Sequence, residues 1–337
     1  MPEWIALCDR DGPIAEGMSN GVLAKGQFVL EFELPLMPAT VLLDLERNTP
    51  WARRFSIFAD EAAGLVILHR QGQHLVKHVL PGPLDLPLSG AARLVLGWDG
   101  PARDWTLQLD LPGTGQQWQS AGKDPIPMLL DDVLQLCSQN SPARRDSSVL
   151  WFGAKQGRDL PQRAPWIGIN TPVQTVNGLR WARDLSPGDE VVSEDGAVLP
   201  IRSLKRMDLP GRGSFSPVLL RAPFFAAGHD LLVSADHLLA LSGPTVEYLC
   251  GEETVLAEAQ HLTDGKAAMK DLRRAVTSCI CLDLGEPALF YADGCALLSQ
   301  GTRDPTSQRL GKWRVLAAYE AIPLLALLAR NPGRNAA

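Results

Sequence analysis

The chain has 337 residues, with 32 Lys and Arg against 38 Asp and Glu, a formal net charge of −6. That length suggests two domains, and 45% hydrophobic against 21% charged residues excludes wholesale disorder. The acidic balance argues against nucleic acid as a partner, because phosphate binding needs a clustered basic face and the longest basic runs are pairs such as Arg144-Arg145.

The 30 Gly and 26 Pro exceed the usual combined share of about 12% and point to many turns between short strands, hence a mostly β protein. Six Cys, at 8, 137, 250, 279, 281 and 295, are too sparse for a disulfide framework, and none has the CxxC spacing of a zinc site. Cys279 and Cys281 would share one face of a strand as two packed thiols. Met1-Pro2-Glu3-Trp4 lacks the basic start and apolar stretch of a secretory signal, and no apolar run reaches the ~18 residues of a membrane span. The expectation is a soluble chain without a membrane partner, cytoplasmic by default or exported without a cleaved signal.

Residues 27–110 read as strands of period two. Phe28, Leu30, Phe32 and Leu34 alternate with Gln27, Val29, Glu31 and Glu33; Val41, Leu43 and Leu45 follow, then Phe55 and Ile57, then Leu65 and Ile67. Leu94, Leu96, Trp98, a turn at Asp99-Gly100-Pro101, and then Trp105, Leu107 and Leu109 predict a hairpin with both Trp on the buried face of a sandwich. Glu31 and Glu33 share a face, read as a solvated charged face rather than a glycosidase pair. Of His69, His74 and His78 only the last two share a face, about 13 Å apart by strand rise, too far to chelate one ion. No metal site is expected.

Through Leu94–Pro101, Trp105-Thr106-Leu107 and the closing Val149-Leu150-Trp151-Phe152-Gly153, the first 157 residues resemble the concanavalin A-like or laminin G-like β-sandwiches, with a jelly-roll-like arrangement. The resemblance implies a glycan, or else a protein, as partner. The polar stretch Asn140–Asp146 reads as a loop, and the Arg-, Gln- and Pro-rich stretch from Gly157 to Pro165 reads as the domain boundary.

From Trp166 the pattern changes. A short strand, an Asn177-Gly178 turn, a second strand and a tight Ser186-Pro187-Gly188-Asp189 turn precede another strand. This array, with Asp184-Leu185-Ser186-Pro187-Gly188-Asp189-Glu190-Val191 at its centre, resembles the start of a bacterial Hint domain, the autoprocessing module shared by hedgehog proteins and inteins. Asp230–Leu239 resembles that family's Thr-x-x-His block, with Ser234 at the Thr position and His237 at the His position. Val255–Leu262 resembles a helix-like segment ending in His-Leu, Ala288–Gly294 the closing strand and turn, and Leu316–Ala321 the usual tail. A compact Hint-type β domain is thus expected over 166–300 and a short helical tail over 301–337.

In the family the first residue is Cys or Ser, which attacks the preceding carbonyl. The His protonates the departing amine while the Thr or Ser polarises the peptide. Counting back from Thr171 puts Trp166 at the nucleophile position, or Gly168 with a two-residue shift, and neither is a nucleophile. Cys281 stands where relatives commonly carry His, and no His-Asn pair ends the chain, so splicing by the intein route is not expected. The candidate catalytic positions are Ser234, His237 and Thr171, no cofactor is implied, and enzyme activity is not expected.

Three functions follow: a degenerate Hint scaffold, residual self-cleavage through Thr171 or Cys281, and a sugar-binding sandwich with an accessory Hint domain. An exposed aromatic platform in the first half would favour the third, whereas buried Trp98 and Trp105 would not. His229 reads as a solvent-facing loop residue. His261 reads as a cap or packing residue ending an amphipathic stretch over 253–262. Val315, Leu316, Tyr319 and Ile322 read as a packed helix face that Pro323 breaks or kinks.

Overall fold

Period-two alternation of apolar residues across Gly- and Pro-marked turns builds two β units in the computed structural model, Met1–Leu160 and Pro161–Ala337. The structure describes residues 4–16, 21–112, 114–158, 160, 165–299 and 309–328. Residues 159 and 161–164 of the expected boundary segment Gly157–Pro165, together with Met1–Glu3 and both ends of the expected tail, lie outside them.

The first unit is a sandwich. Its seven-stranded sheet runs in the order Gln117–Lys123, Asp104–Asp110, Gly90–Asp99, Lys25–Leu34, Val149–Gln156, Trp4–Asp9, Gly12–Glu16. The facing sheet is the meander Thr40–Arg47, Arg53–Asp60, Gly64–Gln71, His74–Pro81, with the short Arg144–Arg145 strand on its edge. Phe28 of one sheet meets Phe55 of the other edge-on, with ring centroids 5.1 Å apart. Trp98 pairs directly with Trp105, as the hairpin pattern requires, and both are buried. The Trp98 Nε1–H donates to the Leu23 carbonyl at 2.7 Å, so the ring is buried without an orphan donor.

Three expectations for this unit need correction. A register shift between Val41 and Leu43 puts Leu42 and Leu43 in the core and leaves Val41 exposed, because a bulge resets the inward face. Glu31 is not solvated. It is fully buried, in register with Arg93 on the neighbouring strand, where an opposite charge compensates for lost water. Glu33 does stay half exposed, paired with Arg10 at 2.7 Å.

His74 and His78 share a face as expected, but His69 lies on it too: His78 stands opposite Ile67 and His74 opposite Gln71, each two residues from His69. His69 and His78 are buried there, while His74, at the end of its strand, is exposed. Among the described residues no cluster of three or more His, Cys, Asp or Glu could hold a metal ion.

The second unit is built on two sheets. The six-stranded one runs Ser203–Pro210, Val276–Asp283, Ile167–Gly168, Leu231–Val233, Val218–Leu220, Ala268–Lys270. The larger sheet includes the Pro172–Thr175 and Gly178–Trp181 hairpin, the Leu289–Ala292 and Cys295–Leu298 hairpin, and the pair Leu238–Ser242 and Thr254–Glu258. Gly178 takes φ +97° at the Asn-Gly turn, a conformation open to glycine. Ser186 N–H donates to Asp189 Oδ2 and Asp189 N–H returns to the Ser186 carbonyl, closing the tight turn. Cys279 and Cys281 are packed, free thiols, as their spacing predicts.

Two elements differ here. Residues 254–258 form a strand, paired from Ser242↔Thr254 to Leu238↔Glu258, and only Ala259–Leu262 makes a 3-10 turn. The β-branched Thr254 and Val255 favour that pairing over a helix. Trp313–Val315 is a strand parallel to Thr254–Glu258, and the helix spans Ala318–Leu328 with Pro323 inside it. Its packed side is Ala321, Leu324 and Leu325, whereas Tyr319 and Ile322 are 75% and 56% exposed. No helix among the described residues is long and apolar enough to cross a membrane.

Candidate functional site

Trp166 enters the second unit just before the Ile167–Gly168 strand, which is held between two others: Ile167 pairs with Val233 on one side and Ile280 on the other. The Leu231–Val233 strand then turns through Ser234–His237, a turn closed by His237 N–H to the Ser234 carbonyl at 3.1 Å. Ala259 and Gln260 fasten the turn by donating to the His237 and Ala235 carbonyls at 2.9 and 2.8 Å. Ser234 and His237 are thereby aimed at one peptide unit.

That unit is Trp166. Its N–H donates to Ser234 Oγ at 3.3 Å, its carbonyl accepts from Ser234 N–H at 3.0 Å, and His237 Nδ1 lies 3.2 Å from the same carbonyl. A carbonyl partner requires the proton on Nδ1, which leaves Nε2 as the lone-pair nitrogen. Nε2 is buried without a hydrogen-bond partner among the described residues. Burial pushes His237 down to about 4, only partly offset by the backbone of Trp166 and, outside hydrogen-bond geometry, of Leu298. At neutral pH the ring is therefore uncharged.

Thr171 is not brought into this group by any hydrogen bond. Its backbone bonds run to Gly168 and Ala182, and its buried Oγ1 has no partner among the described residues. Cys281 comes nearer than its sequence distance suggests. The ladder pairs Ile167 with Ile280 and Gly168 with Cys279, so one further step would set Cys281 opposite Trp166. Burial pushes its thiol up to about 12, with Lys205 lowering it and Asp236 raising it. His261 sits in the 3-10 turn, with Nε2 4.0 Å from Glu258 Oε2.

A second constellation was not legible as a site. His229 is half exposed and its Nδ1 lies 3.1 Å from Asp293 Oδ2, which also accepts the N–H groups of Gly228 and His229 at 2.8 and 2.7 Å. Burial raises the Asp293 carboxyl, but these donors outweigh it and hold the group below its ordinary value. The Trp181 ring meets His229 edge-on at 5.4 Å. Only the two Gly-containing turns, at 228 and 294, hint at this pairing in the sequence.

Residues 168–299 match the family model of the Hint domain. The second unit carries a Hint domain. Its matched span begins two residues after Trp166 and ends just past the Cys295–Leu298 strand. None of the curated proteins compared matches the chain. Among solved structures, the MchDnaB-1 intein is similar at 16% identity and a TM-score of 0.29, over 40% of this chain and 98% of that one. The CBM40 module of the Ruminococcus gnavus IT-sialidase is similar at 12% identity and a TM-score of 0.29, over 40% of this chain and 77% of that one.

Proposed function

We propose that this Hint domain is a degenerate autoprocessing module retained as a scaffold, and that the N-terminal sandwich carries the binding function, toward a glycan. The observation that supports this reading is the residue at the centre of the Ser234 and His237 group. Trp166 presents an indole where acyl transfer needs a thiol or hydroxyl. His237, neutral at pH 7, spends Nδ1–H on the Trp166 carbonyl and is a poor acid for a departing amine. In this reading Ser234 and His237 clamp a peptide and do not cleave it, and Thr171 is a packing residue.

One specific observation favours a second reading. Extending the Ile167–Ile280 and Gly168–Cys279 register by one residue would put Cys281 across from Trp166. Self-cleavage by that route would add Cys281 Sγ to the Pro165 carbonyl and break the bond to Trp166. The thiol proton would end on the freed Trp166 amine, leaving a thioester at Cys281. The raised thiol pKa works against it at neutral pH.

The test is the intact mass of the full chain after incubation with dithiothreitol or hydroxylamine, alongside His237→Ala and Cys281→Ser. A single uncleaved mass in all three supports the scaffold. Fragments divided before Trp166 that disappear in both variants would replace it with the Cys281 route.

A further inference from the structure

One end of the sandwich holds an open cavity of about 630 Å³, lined by loops from both sheets. This volume lies within the range of small-ligand sites. Trp51, in the loop before the Arg53–Asp60 strand, forms part of its wall and is 46% exposed, while its sandwich counterparts Trp98 and Trp105 are buried. The ring is backed rather than loose: the Arg53 guanidinium lies 5.3 Å from its centroid, and Arg53 is itself tied to Asp132 at 2.9 Å. Leu75, 52% exposed, extends the apolar wall.

The polar side of the cavity is a matched pair. Arg103 Nε meets Asp124 Oδ1 at 2.6 Å, and Asp124 N–H donates to the Arg103 carbonyl at 3.0 Å. Both residues hold φ near +55°, a left-handed conformation that costs energy for any side chain but glycine. The side-chain bond and the backbone bond together set a guanidinium and a carboxylate side by side on one cavity wall. Each has unused capacity, since a guanidinium has five donors and a carboxylate about four acceptor sites. Gln71 does not compete for it, because its Nε2 is committed to the Pro127 carbonyl at 2.8 Å.

We infer that this cavity is a saccharide site for uncharged sugars, with a ring stacked on Trp51 and vicinal hydroxyls held by Arg103 and Asp124. A pyranose has an apolar C–H face that suits an exposed indole. Its neighbouring hydroxyls each accept and donate, which matches a donor fork beside a carboxylate. The Asp124 charge cancels that of Arg103, so a phosphate or an acidic sugar finds no net attraction here. The inference rests on the sandwich being the binding half and adds the site and the ligand class.

Isothermal titration calorimetry of the full chain with lactose, maltotriose, chitotriose and sialyllactose tests it. We expect saturable binding of at least one of the three neutral sugars, weakened tenfold or more in both Trp51→Ala and Asp124→Ala, and no tighter binding of sialyllactose than of lactose. Circular dichroism of the variants, both altered at exposed positions, should match the parent. Binding retained in both variants would overturn this cavity while leaving the sandwich as the binding half. A preference for sialyllactose would overturn the ligand class, and absence of binding by all four sugars would overturn the site and the reading beneath it.

Discussion

The two units bury polar side chains for different ends. In the sandwich, Glu31 and Arg93 are in register on adjacent strands, and His69 and His78 are packed against Phe55 and Trp105, so buried polarity is spread through a load of sheet packing. In the Hint unit, Ser234 and His237 converge on one peptide, Trp166, and Thr171 is buried a turn away. The difference teaches that backbone ladders and turns alone can bring two polar side chains together on one peptide unit, here that of a residue whose own side chain is an indole.

Acid should separate the units most. His69 is lowered to about 3 and His78 to about 4, both chiefly by burial, and His237 to about 4. A neutral buried histidine binds its proton more readily when unfolded, so its contribution is intact above the unfolded value near 6.5 and is lost as pH falls toward the folded value. The cost is about 1.4 kcal/mol per pH unit for each histidine. Between pH 6 and 4 the sandwich, with two such groups, should lose stability about twice as steeply as the Hint unit, read from urea melts at each pH. Equal slopes would break the comparison.

Core truncation should come next. Trp98→Ala removes a buried ring and strands the Leu23 carbonyl, with an expected cost of about 3–5 kcal/mol. It should lower the unfolding transition of the sandwich and leave that of the Hint unit in place. Leu324→Ala, on the packed side of the last helix, should cost the Hint unit about 2–5 kcal/mol, whereas Ile322→Ala should stay within about 0.5 kcal/mol. The reverse order would restore the helix face expected from spacing alone. Asp293→Ala, which releases the Gly228 and His229 N–H groups, should cost about 1–3 kcal/mol in thermal melts.

Much of this was legible because it is local. The Trp98–Trp105 hairpin, the Asn177-Gly178 turn and the Ser186–Asp189 turn each follow from a few adjacent residues with period two or with left-handed glycine geometry. The contacts of Ser234 and His237 with Trp166 were not legible, since nothing within 234–237 specifies a partner about 70 residues away. What escaped depends on which surface a strand or helix meets. The buried Glu31 was hidden because alternation separates two faces without saying that both are covered. Val315 and Leu316 precede the last helix, so extending their spacing to Tyr319 and Ile322 marks its exposed side and not its packed one. Trp51, an aromatic in a loop, carries no periodic signal, and the Arg103–Asp124 pair joins two separate turns.

The central claim, a Hint domain that holds its site without cutting, is tested most directly by the intact mass of the full chain purified and then held at pH 8 with hydroxylamine. The account predicts one species at the mass of the uncleaved chain throughout. Two fragments dividing between Pro165 and Trp166, growing with time and absent from His237→Ala, would contradict it.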